Sequence, residues 1–291
     1  VTEERRGAEA IQRYGSKAIP HCRTADRRVP TVTLRVLDER LYVGTGREAA
    51  QAAASLQAEA VVFDVLRACA TLTTLLASPV QKPVWVSDSV EACREVRARF
   101  WTDALLGGER NSRPIPGFDF GNSPVEVLRR SAEWTGRRVV LTTTGGTRAL
   151  VAGPRGHTWV GSLTNLAAVI EQVRAWYRDG RRVLLVAVSG RVDDDPRAHE
   201  DLYVVLHVLW HVLPASVRTW APGLAARWAQ YRGEPDWPGL LRSTPHGQEL
   251  VDLGFGEDVD WIGASVSLYP WVPVVGTDEP PDPRLASVVR P

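Results

Sequence analysis

Arg138-Val139-Val140-Leu141-Thr142-Thr143-Thr144-Gly145-Gly146-Thr147-Arg148-Ala149 passes from an unbroken apolar run, through hydroxyls and two glycines, into the start of a helix. An apolar run without alternation predicts a strand buried on both faces, as in a parallel sheet covered by helices. The same grammar extends outward in both directions. Ala60–Val65 and Arg182–Val188 are predicted as buried strands, with Val32–Leu37, Val84–Val86 and His157–Val160 as further strands. Helices are predicted over Arg47–Leu56, Thr71–Ala77, Ser89–Phe100, Pro124–Trp134, Leu166–Tyr177 and Glu200–Leu213, with Ser123 as N-cap and Pro124 at the first helical position. Strands alternating with helices at this spacing mean an α/β layered sheet with helices on both faces.

Outside that frame the chain changes character. Residues 1–30 are rich in basic groups and poor in apolar period, which predicts an N-terminal extension; residues 31–275 are expected to form a single α/β domain. Gly190–His199, with Asp193-Asp194-Asp195-Pro196, is expected to be a loop at the site edge, and residues 214–250 to be helical turns broken by prolines. Trp261–Leu268 and Trp271–Val275 are expected to be strands, and residues 276–291 a loose Pro-rich tail.

The 291 residues suffice for a full core, and 44% apolar with 24% charged residues is ordinary globular composition. A formal charge of +1 argues against an electrostatic nucleic-acid or membrane binder. The longest apolar run is too short to span a bilayer and no leader is visible, so a cytoplasmic address is expected. Three cysteines without a CxxC pair disfavour a disulfide framework and a zinc site. Apart from Lys17 and Lys82 the basic side chains are arginines, which suit phosphate and sulfonate oxygens. The eleven tryptophans could feed a homo-oligomeric interface as readily as a core.

Three polar constellations fall where ligands collect in a parallel sheet, at the carboxyl ends of strands. Asp64-Val65-Leu66-Arg67 closes a buried strand, and a buried carboxylate there needs a cation: Arg67 as a structural ion pair, or a metal. Thr142-Thr143-Thr144 with Gly145-Gly146-Thr147-Arg148 could cradle a phosphate at a helix N-terminus, or simply turn the chain. Gly107-Gly108-Glu109-Arg110, followed by Ile115–Pro124, has no hydrophobic period and is expected to lie outside the core. There Glu109, Asp119 and Asn122 offer hard oxygens suited to Mg2+, and Arg110 offers charge. Gly161-Ser162-Leu163-Thr164-Asn165 could bind substrate or be an N-cap and turn. Glu200-Asp201 opens a helix, where acids meet the dipole favourably. His207 and His211 have zinc-type spacing but no HExxH and apolar flanks, so a packed role is favoured; His246-Gly247 could touch substrate or turn the chain. Two phosphatase signatures are absent: there is no DxD at Asp64, and Leu75 rather than Arg stands six residues after Cys69.

In their order, Asp64–Ala68, Gly107–Arg110, Ile115–Pro124, Thr142–Ala149, Gly161–Asn165, Glu200-Asp201 and His246-Gly247 resemble the 2-phosphosulfolactate phosphatase family. The resemblance runs from about Val61 to Val275. It implies a three-layer α/β/α sandwich with a mixed, largely parallel sheet. It also implies Mg2+-dependent hydrolysis of 2-phosphosulfolactate to sulfolactate and phosphate. On that reading Asp64, Glu109 and Asp119 gather the metal, with Asp201 as a fourth acid, and Asp64 either attacks phosphorus or orients water. Arg67 and Arg148, with Glu109 and Asp64, form the catalytic set. Thr143, Thr144, Gly146 and Thr147 cradle the phosphate, with Ser162 and Asn165 as further contacts. Arg110, Asn122 and Ser123 hold the acidic end. The chain departs from the family at Gly145, where Asn is usual, at Cys69-Ala70, at Ala187–Gly190 and at Tyr203–Leu206. Those changes leave open a different phosphorylated hydroxy acid, sugar or nucleotide as substrate, and a silent binder of such anions as an alternative.

Overall fold

The computed structural model describes residues 34–36, 40–190, 199–213 and 235–291. Eleven strands and ten α-helices occur among them. The strands are β1 (Leu34–Val36), β2 (Leu41–Thr45), β3 (Ala58–Phe63), β4 (Val84–Ser87), β5 (Leu105–Arg110), β6 (Arg113–Pro114), β7 (Val139–Thr142), β8 (Thr158–Gly161), β9 (Arg182–Ala187), β10 (Val274–Val275) and β11 (Leu285–Val289). The helices are α1 (Gly46–Leu56), α2 (Ala68–Ala77), α3 (Val90–Arg99), α4 (Pro124–Arg130), α5 (Gly146–Ala152), α6 (Leu166–Arg178), α7 (Glu200–Val212), α8 (Trp237–Ser243), α9 (Pro245–Asp252) and α10 (Gly256–Ala264). The fold is α/β with a mixed, mostly parallel sheet, and its order is β1-β2-β9-β3-β8-β10-β11-β4-β7-β5-β6.

Two parallel groups make up that sheet. β2, β9, β3 and β8 form one, and β4, β7 and β5 the other. The hairpin β10–β11 lies between them, antiparallel to β8 on one side and to β4 on the other. Three reversals in succession leave the two groups running in opposite senses. Both faces are covered. Along β3, Val61 and Phe63 enter one core with α6 and α7, whereas Ala60 and Val62 enter the other with α1 and α5. β9 divides in the same way, with Leu185 on one side and Leu184 and Val186 on the other. Period-two division with both faces apolar is what an unbroken hydrophobic strand requires.

Several local features agree with the sequence. Ser123 caps α4 by accepting the Glu126 N–H at 3.0 Å, and Ser89 caps α3 by accepting the Ala92 N–H at 3.1 Å. Three expectations are corrected. Gly107 and Gly108 are not outside the core: they lie inside β5. A Cβ on Gly107 would fall 2.0 Å from the Phe120 ring, and one on Gly108 1.9 Å from the Thr142 carbonyl oxygen, so neighbouring groups fill the space side chains would take. Trp261 lies in a helix, α10, because Val259 and Ile262 are both buried at helical spacing. The Pro-rich tail contains β11, the strand that joins the two halves, with Leu285, Ala286 and Val288 buried. The N-terminal extension, most of the acidic loop at 191–198 and the turns at 214–234 lie outside the described residues.

Candidate active site

Asp64 follows the last residue of β3, 9% exposed, and faces two helix N-termini at once. Its Oδ1 accepts the Ala68 N–H at 3.1 Å from α2, and its Oδ2 accepts the Gly146 N–H at 2.7 Å from α5. The loop after β7 therefore reaches from one parallel group to the strand end of the other. The approach is possible because residue 146 is glycine: a Cβ would stand 2.7 Å from Oδ2, 2.8 Å from Ala68 Cβ and 2.9 Å from Asp64 Cβ. Burial pushes the Asp64 carboxyl up to about 6; the Ala68 and Gly146 N–H groups and a nearby positive His246 oppose the rise, and the Glu109 charge adds to it.

Behind Asp64 stands a second acidic layer. Asp201, in the first turn of α7, accepts the Val65 N–H at 2.7 Å through Oδ1 and the Ser189 N–H and hydroxyl at 2.9 and 2.8 Å through Oδ2. It thereby pins the segments leaving β3 and β9 side by side. Burial holds its carboxyl well above the usual range, and the charges of Glu200 and Asp64 add to this. Glu200 is 2% exposed and lies 2.8 Å from Nδ1 of His246, the second residue of α9. Burial lowers the proton affinity of His246, but the Glu200 hydrogen bond and the charges of Glu200, Asp64 and Asp201 outweigh it and raise the imidazole to about 9. Near neutral pH His246 is a cation facing carboxylates.

The third part comes from β5 and β7. Glu109 Oε1 accepts the Thr144 N–H at 2.7 Å, and Oε2 accepts the Thr144 hydroxyl at 2.9 Å and the Ser112 N–H at 3.0 Å. Thr143 and Thr147 bond each other across the turn, the Thr143 N–H reaching the Thr147 hydroxyl at 2.8 Å. Arg110 donates to the Glu109 carbonyl at 2.7 Å and to the Thr142 hydroxyl at 3.0 Å, and burial lowers its proton affinity. Arg148 is exposed in the first turn of α5.

Other predicted residues are placed differently. Arg67 is 2% exposed and ion-paired with Asp258 at 2.7 Å, its guanidinium 4.0 Å over the Phe255 ring. Ser123 donates to the same Asp258 at 2.6 Å. Asn122 is buried, with Oδ1 lacking a partner among the described residues, as does Thr71 Oγ1. Asp119 accepts the Leu106 N–H at 2.8 Å and pairs with Arg97 at 2.8 Å, at the start of β5, whereas Glu109 lies near its end. Ser162 and Asn165 form a capping box, with the Asn165 amide also donating to the Val160 and Trp271 carbonyls at 3.0 and 3.2 Å. The structure thus brings together Asp64, Glu109, Thr143, Thr144, Gly146 and Thr147, with Asp201 behind. It holds Arg67 and Ser123 on Asp258, Asp119 on Arg97, and Ser162 with Asn165 in a turn. His246 and Glu200 were the members without an assigned role; the His-Gly pair at 246 and the acid pair at 200 were the available signals.

Mg2+ usually binds one or two carboxylates and keeps several waters. Asp64 fits such an ion: it is buried, its proton affinity is raised, and each oxygen accepts only one N–H, leaving lone pairs. Glu109 is within electrostatic reach of it. Asp201 and Asp119 are engaged elsewhere, and among the described residues no three His, Cys, Asp or Glu side chains come together as a metal cluster.

Comparison with known proteins adds the following. Residues 47–278 match the family described as 2-phosphosulpholactate phosphatase. A probable 2-phosphosulfolactate phosphatase of Deinococcus radiodurans is 36% identical over 225 residues, covering 76% of this chain and 90% of that protein. A protein of Pseudothermotoga lettingae with the same description is 33% identical over 224 residues, 77% of this chain and 92% of its own length. The 2-phosphosulfolactate phosphatase of Methanocaldococcus jannaschii is 38% identical over 205 residues, 69% of this chain and 81% of its own. No helix among the described residues is long and apolar enough to cross a membrane.

Proposed function

The chain belongs to the 2-phosphosulfolactate phosphatase family, and from that membership we propose that it hydrolyses 2-phosphosulfolactate, or a closely similar acidic phosphate monoester, with Mg2+ as cofactor. It is a phosphoric monoester hydrolase. The observation that carries the site assignment is the Asp64 carboxylate held at 3.1 and 2.7 Å by the N–H groups of two helix N-termini.

In the reaction the phosphorus–oxygen bond to the organic group breaks, a bond to a water-derived oxygen forms, and the leaving oxygen gains a proton. Ionised Asp64 either attacks phosphorus or orients the water; its two N–H bonds fix it for either task. Mg2+, held by Asp64 with Glu109 directly or through water, would neutralise phosphoryl charge when bound. Arg110 and Arg148, flanking the loop that holds Glu109 and Asp64, face the anionic groups of the substrate. His246, with Nδ1 on Glu200, keeps Nε2 to hold a proton for the leaving oxygen. Arg67 acts at one remove: its pair with Asp258 anchors the start of α2, whose Ala68 N–H holds Asp64.

A second reading, a different phosphate ester, is favoured by Gly145 and Val188, which crowd each other beside Asp64 within the two stretches, Thr142–Ala149 and Ala187–Gly190, where the chain departs from the family it resembles. Phosphate release from a panel of monoesters including 2-phosphosulfolactate, in Mg2+ and in EDTA, tests both. Metal-dependent release, fastest from 2-phosphosulfolactate, supports the first reading; a faster ester supports the second. Release unaffected by EDTA sinks the metal, and no release with binding retained sinks the hydrolytic role.

A further inference from the structure

Gly145 leaves no space for a side chain. A Cβ there would stand 2.5 Å from Cγ1 of Val188 and 3.4 Å from Oδ2 of Asp64. Val188 is fixed by its backbone: its N–H donates to the Phe63 carbonyl at 2.9 Å, extending the β9–β3 ladder past the strand ends. The next residue, Ser189, is tied to Asp201 through its N–H and hydroxyl. A valine side chain is also stiff about χ1. The space a side chain at residue 145 would take beside the Asp64 carboxylate is thus occupied by a methyl group from a rigid, half-buried position. The groups that can meet negative charge, Arg110, Arg148 and His246, stand on β5, α5 and α9.

Resting on the phosphatase reading of this site, we propose that Val188 determines substrate specificity, closing the Gly145 side of Asp64 to bulky substituents. Accepted esters carry hydrogen or a small apolar group on that side, and their acidic end lies toward the arginines. A larger group against the valine methyl would overpack the corner beside Asp64. Gly145 and Val188 form one unit, since a side chain at either position takes the space of the other.

The test pairs a small ester, phosphoglycolate, with a bulky one that has no hydrogen at C2, 2-phospho-2-ethylbutanoate. KM and kcat are measured in Mg2+, and Kd by calorimetry in EDTA, so that discrimination is read even without turnover. Val188→Ala should favour the bulky ester over the small one by about tenfold relative to wild type, mainly in KM and Kd. In thermal unfolding, Gly145→Ala should lower Tm, and Gly145→Ala/Val188→Ala should restore it. An unchanged bulky-to-small ratio in Val188→Ala, in both KM and Kd, overturns the specificity role. A Gly145→Ala protein with wild-type Tm overturns the steric pairing. Loss of turnover in the wild type with size discrimination retained in Kd would sink the phosphatase reading and leave this inference standing.

Discussion

Gly146→Ala should damage stability and turnover together. The added Cβ would lie 2.8 Å from Ala68 Cβ and 2.7 Å from Asp64 Oδ2. Carbon pairs settle at about 3.5–4.0 Å, so the first turn of α5 must retreat by roughly 1 Å. Asp64 and Ala68 have short side chains on anchored segments and cannot yield instead. The Gly146 N–H bond to Asp64, 2.7 Å long, would then open beyond hydrogen-bonding range. A hydrogen bond to a charged group contributes about 1.5–3 kcal/mol, and overpacking costs about 1–3 kcal/mol. The expected loss is about 3–5 kcal/mol in urea unfolding. A displacement of about 1 Å in the group that positions Asp64 should also lower kcat about a hundredfold. Gly256→Ala is the control, since its nearest neighbour, Val251 Cγ2, is 3.5 Å away. Gly146→Ala within about 0.5 kcal/mol of wild type, the range of an ordinary surface substitution, with unchanged kcat, would refute the reasoning.

Other perturbations separate the roles of the charged groups. Breaking the buried Arg67–Asp258 pair with Asp258→Ala should cost about 3–5 kcal/mol in urea unfolding; a cost under about 1 kcal/mol would mean that Arg67 does not depend on it. Asp64 titrates at about 6 in the fold against an ordinary 3.8, so its contribution to stability is present below pH 3.8 and is lost as pH rises through 6. That loss is about 3 kcal/mol, and Mg2+ at pH 7 should recover part of it relative to EDTA; identical unfolding midpoints in both would argue against a cation at Asp64. His246 is raised from 6.5 to about 9, so its contribution is present below pH 6.5 and lost as pH rises through 9. Unfolding of Glu200→Gln should lack that alkaline limb, and its persistence would clear Glu200 of the role. Asp119→Asn should keep kcat within about threefold, a change of less than 1 kcal/mol, because Asp119 serves Arg97 and the Leu106 N–H at the start of β5; a hundredfold loss would return it to the reacting centre.

The parallel strands with unbroken apolar runs were legible because both their faces are buried. β3, β7 and β9 announce themselves by Val61–Phe63, Val139–Leu141 and Val183–Val186. β5 was hidden because its middle carries two glycines whose missing side chains are replaced by Phe120 and the Thr142 backbone. β11 was hidden by the prolines around it, its place being set by pairing with β4 nearly two hundred residues earlier. Asp64, Glu109 and Gly146 could be singled out from local spelling. The partner of Arg67 could not, because Asp258 lies 191 residues away and an isolated Asp in a helix carries no sign of it. The same holds for His246 and Glu200, joined across 46 residues.

The position of β10 and β11 has a consequence for synthesis. Each parallel group can pair its own strands as they emerge from the ribosome, yet β8 and β4 keep open inner edges until residues 274–289 arrive. Open edges recruit strands from other chains. These two strands, which follow all the other described strands in the sequence, are thus also the ones that protect the nascent chain, and a ribosome stalled just before them would leave a polypeptide with most of this sheet and both inner edges adhesive.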